Sequence, residues 1–118
     1  MALTKEQILA ANDSVVEEVE IPEWSGSVKV RGMTGKDRDA FEASLMEKKG
    51  KSTEQNFANL RAKLVSRTVV DDEGNLIFSE ADIPAIGEKS AKAIDRIFKV
   101  AQRLSGIGQD AVDELTKN

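Results

Sequence analysis

The stretch EKSAKAIDRIFKVAQRLS, residues 88–105, decides the fold because it has the pattern of one long amphipathic helix. On a helical wheel of about 100° per residue, its apolar side chains converge on one side and its basic side chains converge nearly opposite. Such a helix needs a core that covers its apolar face. The apolar stripe consists of Ala91, Ile94, Ile97, Phe98, Ala101 and Leu104, and the basic stripe consists of Lys89, Lys92, Arg96, Lys99 and Arg103.

Residues 15–31 alternate between apolar and charged side chains with a period of two, which predicts a β-hairpin. The first run is acidic, the second is basic, and a Ser-Gly-Ser stretch supplies the turn. Opposite charges across antiparallel strands contribute roughly 0.2–1 kcal/mol each, so Glu18 or Glu20 facing Lys29 or Arg31 would help to select the register. The apolar side chains of the hairpin are Val19, Ile21, Val28 and Val30.

Threonine caps predict two shorter helices in the middle of the chain. One begins after Thr34 and runs to about Lys49, and the other begins after Thr53. In the second helix, Phe57 and the leucines that follow it recur at spacings of three and four residues, which predicts a buried stripe.

A second hairpin is predicted over residues 68–78, with a polar turn around Gly74. Three consecutive acids in this turn raise the hypothesis of a calcium loop. The twelfth residue counted from Asp71 is Asp82, where an EF-hand loop needs glutamate, so the exposed turn is the favoured interpretation.

These elements predict an α+β fold that is mainly helical, with three to four helices and two small β-hairpins in a single domain. A length of 118 residues fits one domain of about 100–200 residues. We expect residues 1–105 to form the globular domain. Residues 106–118 follow a helix break and contain few large apolar side chains, so we expect a flexible C-terminal tail.

The composition removes most familiar enzyme chemistry. The chain has no Cys and no His, so disulfides, thiolate nucleophiles, zinc clusters and imidazole proton shuttles are excluded. Asp37 follows Gly35 and Lys36 where a phosphate loop needs Ser or Thr. We therefore expect no enzyme activity, no cofactor and no metal.

No apolar stretch approaches the roughly 20 residues that span a bilayer, and the first residues lack the apolar region of a signal peptide. We expect a cytosolic protein without a membrane partner.

Charge is banded along the chain, which carries 17 basic and 21 acidic residues for a net charge of −4. Residues 1–25 hold one base and six acids, residues 26–70 hold ten bases and five acids, and residues 71–82 hold five acids. The bands are compatible with steering of a partner, with a homo-oligomer and with ion pairs between neighbouring elements. An acidic balance and the absence of Tyr argue against a nucleic-acid partner for the basic stripe.

Several stretches occur in a characteristic order along nearly the whole chain, and none of them is a catalytic signature. They are residues 8–11, 17–24, 28–35, 38–42, 61–65, 71–78, 86–90 and 101–106. In the order and local sequence of these stretches, the chain resembles the small tail assembly chaperones of long-tailed bacteriophages and related prophages.

The resemblance implies a non-enzymatic chaperone of tail morphogenesis that acts in the host bacterial cytoplasm and is absent from the mature virion. Its implied partners are the tape measure protein, which it binds, and the major tail protein, which it helps to recruit as tail tube subunits. We expect a partner surface between the first hairpin and the helices of Phe57 and Phe98. Trp24 is either a core residue or an interface anchor. The candidate partner-binding residues are Val19, Ile21, Trp24, Val28, Val30, Phe57, Lys92, Arg96, Phe98 and Lys99.

Two alternatives remain open from the sequence. One is a structural virion protein that joins head to tail or completes the tail. The other is a small nucleic-acid-binding regulator that uses the basic stripe.

Overall fold

The long amphipathic helix forms as α5 (Ala91–Leu104), but it starts three residues later than the predicted Glu88, because Ser90 caps it. The side chain of Ser90 caps it by accepting a hydrogen bond from the backbone N–H of Ala93, which gives a partner to one of the free donors at the helix start. The basic stripe is exposed along its length. The buried face of α5 consists of Ala93, Ile94, Ile97, Phe98 and Ala101, with Leu104 packed partly buried beside it.

The computed structural model describes residues 1–55 and 58–107. Within these residues the predicted α+β, mainly helical, single-domain fold is confirmed, with five α-helices and two small antiparallel sheets. The helices before α5 are α1 (Lys5–Ala10), α2 (Gly35–Ser44), α3 (Leu60–Ser66) and α4 (Ile83–Gly87). The strands are β1 (Val16–Ile21), β2 (Gly26–Arg31), β3 (Met46–Lys49), β4 (Ser52–Gln55) and β5 (Val69–Val70).

The first predicted hairpin is confirmed as β1 and β2. Its register places Glu18 opposite Lys29, in agreement with the charge argument. Pro22 ends β1 by starting a 3₁₀ turn, Pro22–Trp24, after which Ser25 adopts a left-handed conformation at φ 55°. Strand β5 pairs with the other edge of β2, so the sheet has the order β1-β2-β5 and packs on α5.

Helix α2 begins after its Thr34 cap as predicted, but the prediction that it runs to about Lys49 is wrong, because it ends at Ser44. Two side-chain hydrogen bonds are found at this end. The Ser44 hydroxyl donates to the carbonyl of Phe41 at 2.6 Å, and the Lys63 ammonium donates to the carbonyl of Ser44 at 2.8 Å. They give partners to carbonyls of the last turn, where backbone donors run out.

Residues 46–55 form a β-hairpin where the sequence predicted the end of one helix and the start of the next. Strands β3 and β4 pair along their whole length, and Gly50 takes φ 63° in the turn. Two-residue turns demand a positive φ, which Gly adopts without steric cost. Thr53 pairs with Lys48 inside the hairpin, so the prediction that it caps a helix is wrong. Helix α3 begins later, at Leu60.

The second predicted hairpin, residues 68–78, is shorter than expected. Its first part joins the β1-β2 sheet as β5, and its second part contributes one bridge, between Val70 and Leu76. The polar turn forms as predicted, because Asp71 Oδ1 accepts backbone N–H bonds from Glu73 and Asn75 at 2.9 and 3.0 Å. The acidic turn is therefore folded on its own backbone.

Two short helical segments complete the described structure. Helix α1 carries a capping box between Thr4 and Gln7, yet residues 1–16 are all exposed. Ser79 and Asp82 make the second capping box, at a 3₁₀ turn that leads into α4. The described residues thus comprise a packed body and an N-terminal segment, residues 1–14, that contributes no buried side chain.

Candidate partner-binding groove

The predicted apolar site residues lie in different environments. Ile21 and Val30 have no exposed surface and Phe98 is 4% exposed, so all three belong to the core. Val19 and Val28 are partly buried and pack against that core. Phe57 lies outside the described residues. In this conformation the buried members hold the hairpin on α5, and their contact with a partner stays a prediction.

The predicted basic site residues are exposed, but two of them already have acidic partners. Arg96 donates to Glu23 from Nε at 2.9 Å and from Nη2 at 3.2 Å, and Lys99 pairs with Asp95 at 3.0 Å. The hydrogen bond from Arg96 holds the pKa of Glu23 below its usual value. These ion pairs neutralise the charges of Arg96 and Lys99. Lys92, the third predicted basic residue, has no ion pair within the described residues.

The basic stripe has a further internal pair, between Arg103 and Glu17 of β1. Ion pairs between α5 and the hairpin therefore explain part of the charge banding. They also reduce the positive charge that the helix could offer to nucleic-acid phosphates.

Trp24 is 39% exposed and is therefore a surface residue rather than a core residue. It is the last residue of the 3₁₀ turn between β1 and β2, so the hairpin holds its indole beside the helical layer. There it borders an open groove of about 310 Å³ whose walls are almost entirely apolar. We call this the Trp24 groove, and it is lined by Trp24, Val65, Phe78, Asp82, Ala85, Ile86 and Lys89.

Separate elements build the groove. Val65 comes from α3 and is 1% exposed, and Ile86 comes from α4 and is 5% exposed, so both also belong to the core. Phe78 is partly buried, whereas Ala85 is exposed. Sequence reasoning found Trp24 and missed the other members, because no periodic pattern connects side chains that come from different elements.

Two charged residues, Asp82 and Lys89, line the groove. The Asp82 carboxylate accepts hydrogen bonds from Ser79, at 2.8 Å from the backbone N–H and at 3.3 Å from the hydroxyl. Lys89 is exposed and has no ion pair within the part of the chain that the structure describes. The groove therefore carries one acidic and one basic side chain, and neither has an ion pair within the described residues.

The family model for phage tail assembly chaperones matches residues 4–118. The chain belongs to this family. A solved structure, that of the bacteriophage HK97 tail assembly chaperone, matches with a TM-score of 0.56 and 18% sequence identity. The match covers 84% of this chain and 94% of that chain, and it shows a shared fold. Comparison with curated proteins gives no match.

Family membership confirms the predicted class and gives the chain a chaperone role in phage tail assembly. The family is generally non-enzymatic, and the absence of catalysis in this member stays a prediction. Among the described residues, no helix combines the length and the apolar character needed to cross a membrane.

Proposed function

We propose that the chain binds the tape measure protein of its phage through the Trp24 groove and helps to recruit the major tail protein around it. The observation that carries this proposal is a half-exposed tryptophan beside an apolar groove. Tryptophan is among the residues that contribute most binding energy at protein interfaces. An exposed indole that already borders a preformed groove is suited to anchor a partner.

The expected client explains why an apolar groove is useful. Tape measure proteins of this family's phages are long and helical, and they are prone to aggregate before tail subunits cover them. Amphipathic helices bind by placing apolar side chains, one helical turn apart, into an apolar groove. A groove of about 310 Å³ admits a few side chains rather than a whole helix.

A small groove also suits temporary binding. Stable protein interfaces bury roughly 1,200–2,000 Å² in total, so a contact made mainly through one groove dissociates more readily. In this proposal the chain holds the tape measure protein in the host cytoplasm until the major tail protein replaces it, and the mature virion lacks the chain. Mass spectrometry of purified particles tests this step, because a stoichiometric amount of the chain would favour a structural virion protein instead.

Replacing Trp24 tests the site. We expect Trp24→Ala to reduce the amount of soluble tape measure protein on coexpression from the same genome, and to weaken pull-down by at least about tenfold, because anchor residues contribute 2 kcal/mol or more. Met46→Ala is the matched control, because Met46 is 45% exposed and does not line the groove.

A second variant tests the groove independently, in case Trp24→Ala does not fold. Ala85 is exposed at the groove, so Ala85→Arg obstructs the groove while leaving the core intact. Weak binding by both variants, with a native circular dichroism spectrum for Ala85→Arg, supports the proposal. A tape measure protein that remains soluble and monodisperse without the chain contradicts the function, and full binding by both variants contradicts the site.

A further inference from the structure

Strand β1 is an edge of the three-stranded sheet, and no described strand pairs with its second side. We call this side the free edge. In an antiparallel pair, residues of one strand alternate between bonding to the partner strand and facing away from it. The N–H of Gly32 in the chain after β2 donates to the carbonyl of Val15 at 3.3 Å, which fixes the alternation. The residues whose backbone N–H and C=O groups face the free edge are therefore Val16, Glu18 and Glu20.

Two carboxylates make the free edge acidic. Glu18 and Glu20 are exposed, and neither has an ion pair within the described residues. Lys29 lies opposite Glu18, but it pairs with Asp72 at 3.0 Å. The pKa of Lys29 is raised mainly by Asp72 and only in a smaller part by Glu18. One lysine thus faces two carboxylates, and the edge keeps a net negative charge.

The bases of α5 do not cancel this charge. Arg103 already pairs with Glu17, and Arg96 already pairs with Glu23. Lys92 has no ion pair in the described part of the chain, and its charge also acts on Glu23. Because side chains alternate between the two faces of a strand, α5 packs on the face that carries Glu17, opposite the two free-edge carboxylates.

We propose that the free edge of β1 binds an extended, basic segment of a partner protein as an added antiparallel strand. This surface is separate from the Trp24 groove. Main-chain hydrogen bonds attach an added strand, and lysines or arginines opposite Glu18 and Glu20 make the attachment selective, because opposite charges on adjacent strands stabilise their pairing.

A second copy of β1 does not suit the same edge. Antiparallel pairing centred on Glu18 would place this glutamate opposite its own copy, and parallel pairing in register would do so for every glutamate of the strand. Like charges directly opposite each other destabilise a sheet. The acids therefore protect the edge from self-association and leave it open to a basic strand.

Backbone amide exchange measured by NMR tests strand addition residue by residue. The probe is a short synthetic peptide that alternates lysine with valine. At saturation it is expected to slow exchange at Val16, Glu18 and Glu20 by at least about tenfold, because a hydrogen-bonded amide exchanges only when its bond opens. The amides of Glu17 and Val19, which bond to β2, are expected to be protected with and without peptide. Unchanged exchange at the free edge overturns the inference.

Two methylated peptides separate backbone pairing from attraction between charges. In antiparallel pairing, the lysine opposite each glutamate directs its N–H toward β1, whereas each valine directs its N–H away. Methylation of the lysine backbone amides is therefore expected to abolish the protection, and methylation of the valine amides is expected to preserve it. Equal protection by both methylated peptides overturns the inference.

Glu20→Lys tests the charge preference and is expected to weaken binding of the lysine–valine peptide by about fivefold, because an attraction becomes a repulsion. Glu6→Lys is the matched control, since Glu6 is an exposed glutamate of α1 outside the sheet. It changes the net charge equally and is expected to bind as the wild type does. Equal weakening by the two variants, or protection of the free edge by self-association of the wild-type chain, overturns the inference.

Discussion

Gly32 lets the first hairpin approach the end of the long helix backbone to backbone. A Cβ atom at this position would overlap the carbonyl oxygen of Leu104 and lie 2.9 Å from its carbonyl carbon. Beside it, the backbone N–H of Met33 donates to the hydroxyl of Ser105 at 2.9 Å. The obstacle to any side chain is backbone, which cannot turn aside as a flexible side chain would. One residue without a side chain thus fixes the distance between β2 and α5.

Gly32→Ala is expected to lower the free energy of unfolding by about 1–3 kcal/mol, the usual cost of forcing extra atoms into a packed site. Urea denaturation followed by circular dichroism measures it. Gly35→Ala is the control, because nothing lies within 4 Å of a Cβ built at that glycine, and we expect a change within about 0.5 kcal/mol. Equal destabilisation by the two variants would mean that the close approach at Gly32 does not constrain the fold.

At the scale of elements, α5 joins the sheet through both of its faces. Its apolar face packs beneath the hairpin, and Arg96 reaches from its basic face to Glu23 in the turn that follows β1. Arg103 makes the equivalent contact with Glu17 nearer the start of the same strand. The contacts fix how the hairpin lies along the helix, and they hold the turn that presents Trp24.

The Glu23–Arg96 contact predicts a pH-dependent contribution to stability. The hydrogen bond from Arg96 lowers the pKa of Glu23 in the folded chain, so the ionised carboxylate stabilises the folded state above the ordinary pKa of a glutamate. That contribution is lost as the pH falls through the lowered value. Glu23→Gln is therefore expected to be less stable than the wild type at neutral pH and to approach it in acid.

Urea unfolding measures this difference from pH 7 down through the range where free carboxyl groups titrate, about pH 4. Glu6→Gln is the control, since Glu6 lies in a helix without buried residues. A stability difference between wild type and Glu23→Gln that stayed constant down to the lowest pH would contradict the role assigned to the ion pair.

Elements whose signals are local were predictable from the sequence. The periodicity of α5, the alternation of the first hairpin and the threonine cap of α2 each lie within their own segment, and each was confirmed. The end of α2 was not predictable, because Lys63 reaches its last carbonyl from 19 residues away. The β3-β4 hairpin was missed because its strands, MEKK and STEQ, lack the alternating apolar side chains that indicate a strand.

The candidate groove was less predictable than the fold. Trp24 was identified as a choice between core and interface, and its exposure in the structure excludes the core. Phe78 and Ala85 carried no sequence signal for a shared surface, since they meet only when α3, α4 and the turn after β1 pack together. Tertiary packing, rather than local pattern, creates this groove.

For the whole molecule, internal ion pairs account for much of the charge banding. Acids of the first 25 residues pair with α5, and Lys29 of the basic band pairs with Asp72 of the acidic turn at 3.0 Å.

Exposed apolar side chains occur both on the folded body and on the N-terminal segment. Leu3, Ile8 and Leu9 of that segment are between 57% and 75% exposed. Among the described residues, apolar side chains are therefore exposed both on this segment and on the folded body, where the Trp24 groove is preformed.

Deletion of residues 1–12 separates these two surfaces. None of the deleted residues is buried or lines the Trp24 groove, so the free energy of unfolding is expected to change by no more than about 0.5 kcal/mol. Binding of the tape measure protein is expected to persist, and Trp24→Ala is expected to weaken it in the shortened chain by the same factor as in the full chain. Urea denaturation and pull-down measure the two quantities on the same preparations. If the deletion abolishes binding without lowering stability, and full-length Trp24→Ala still binds, the binding site lies in the N-terminal segment and not in the groove.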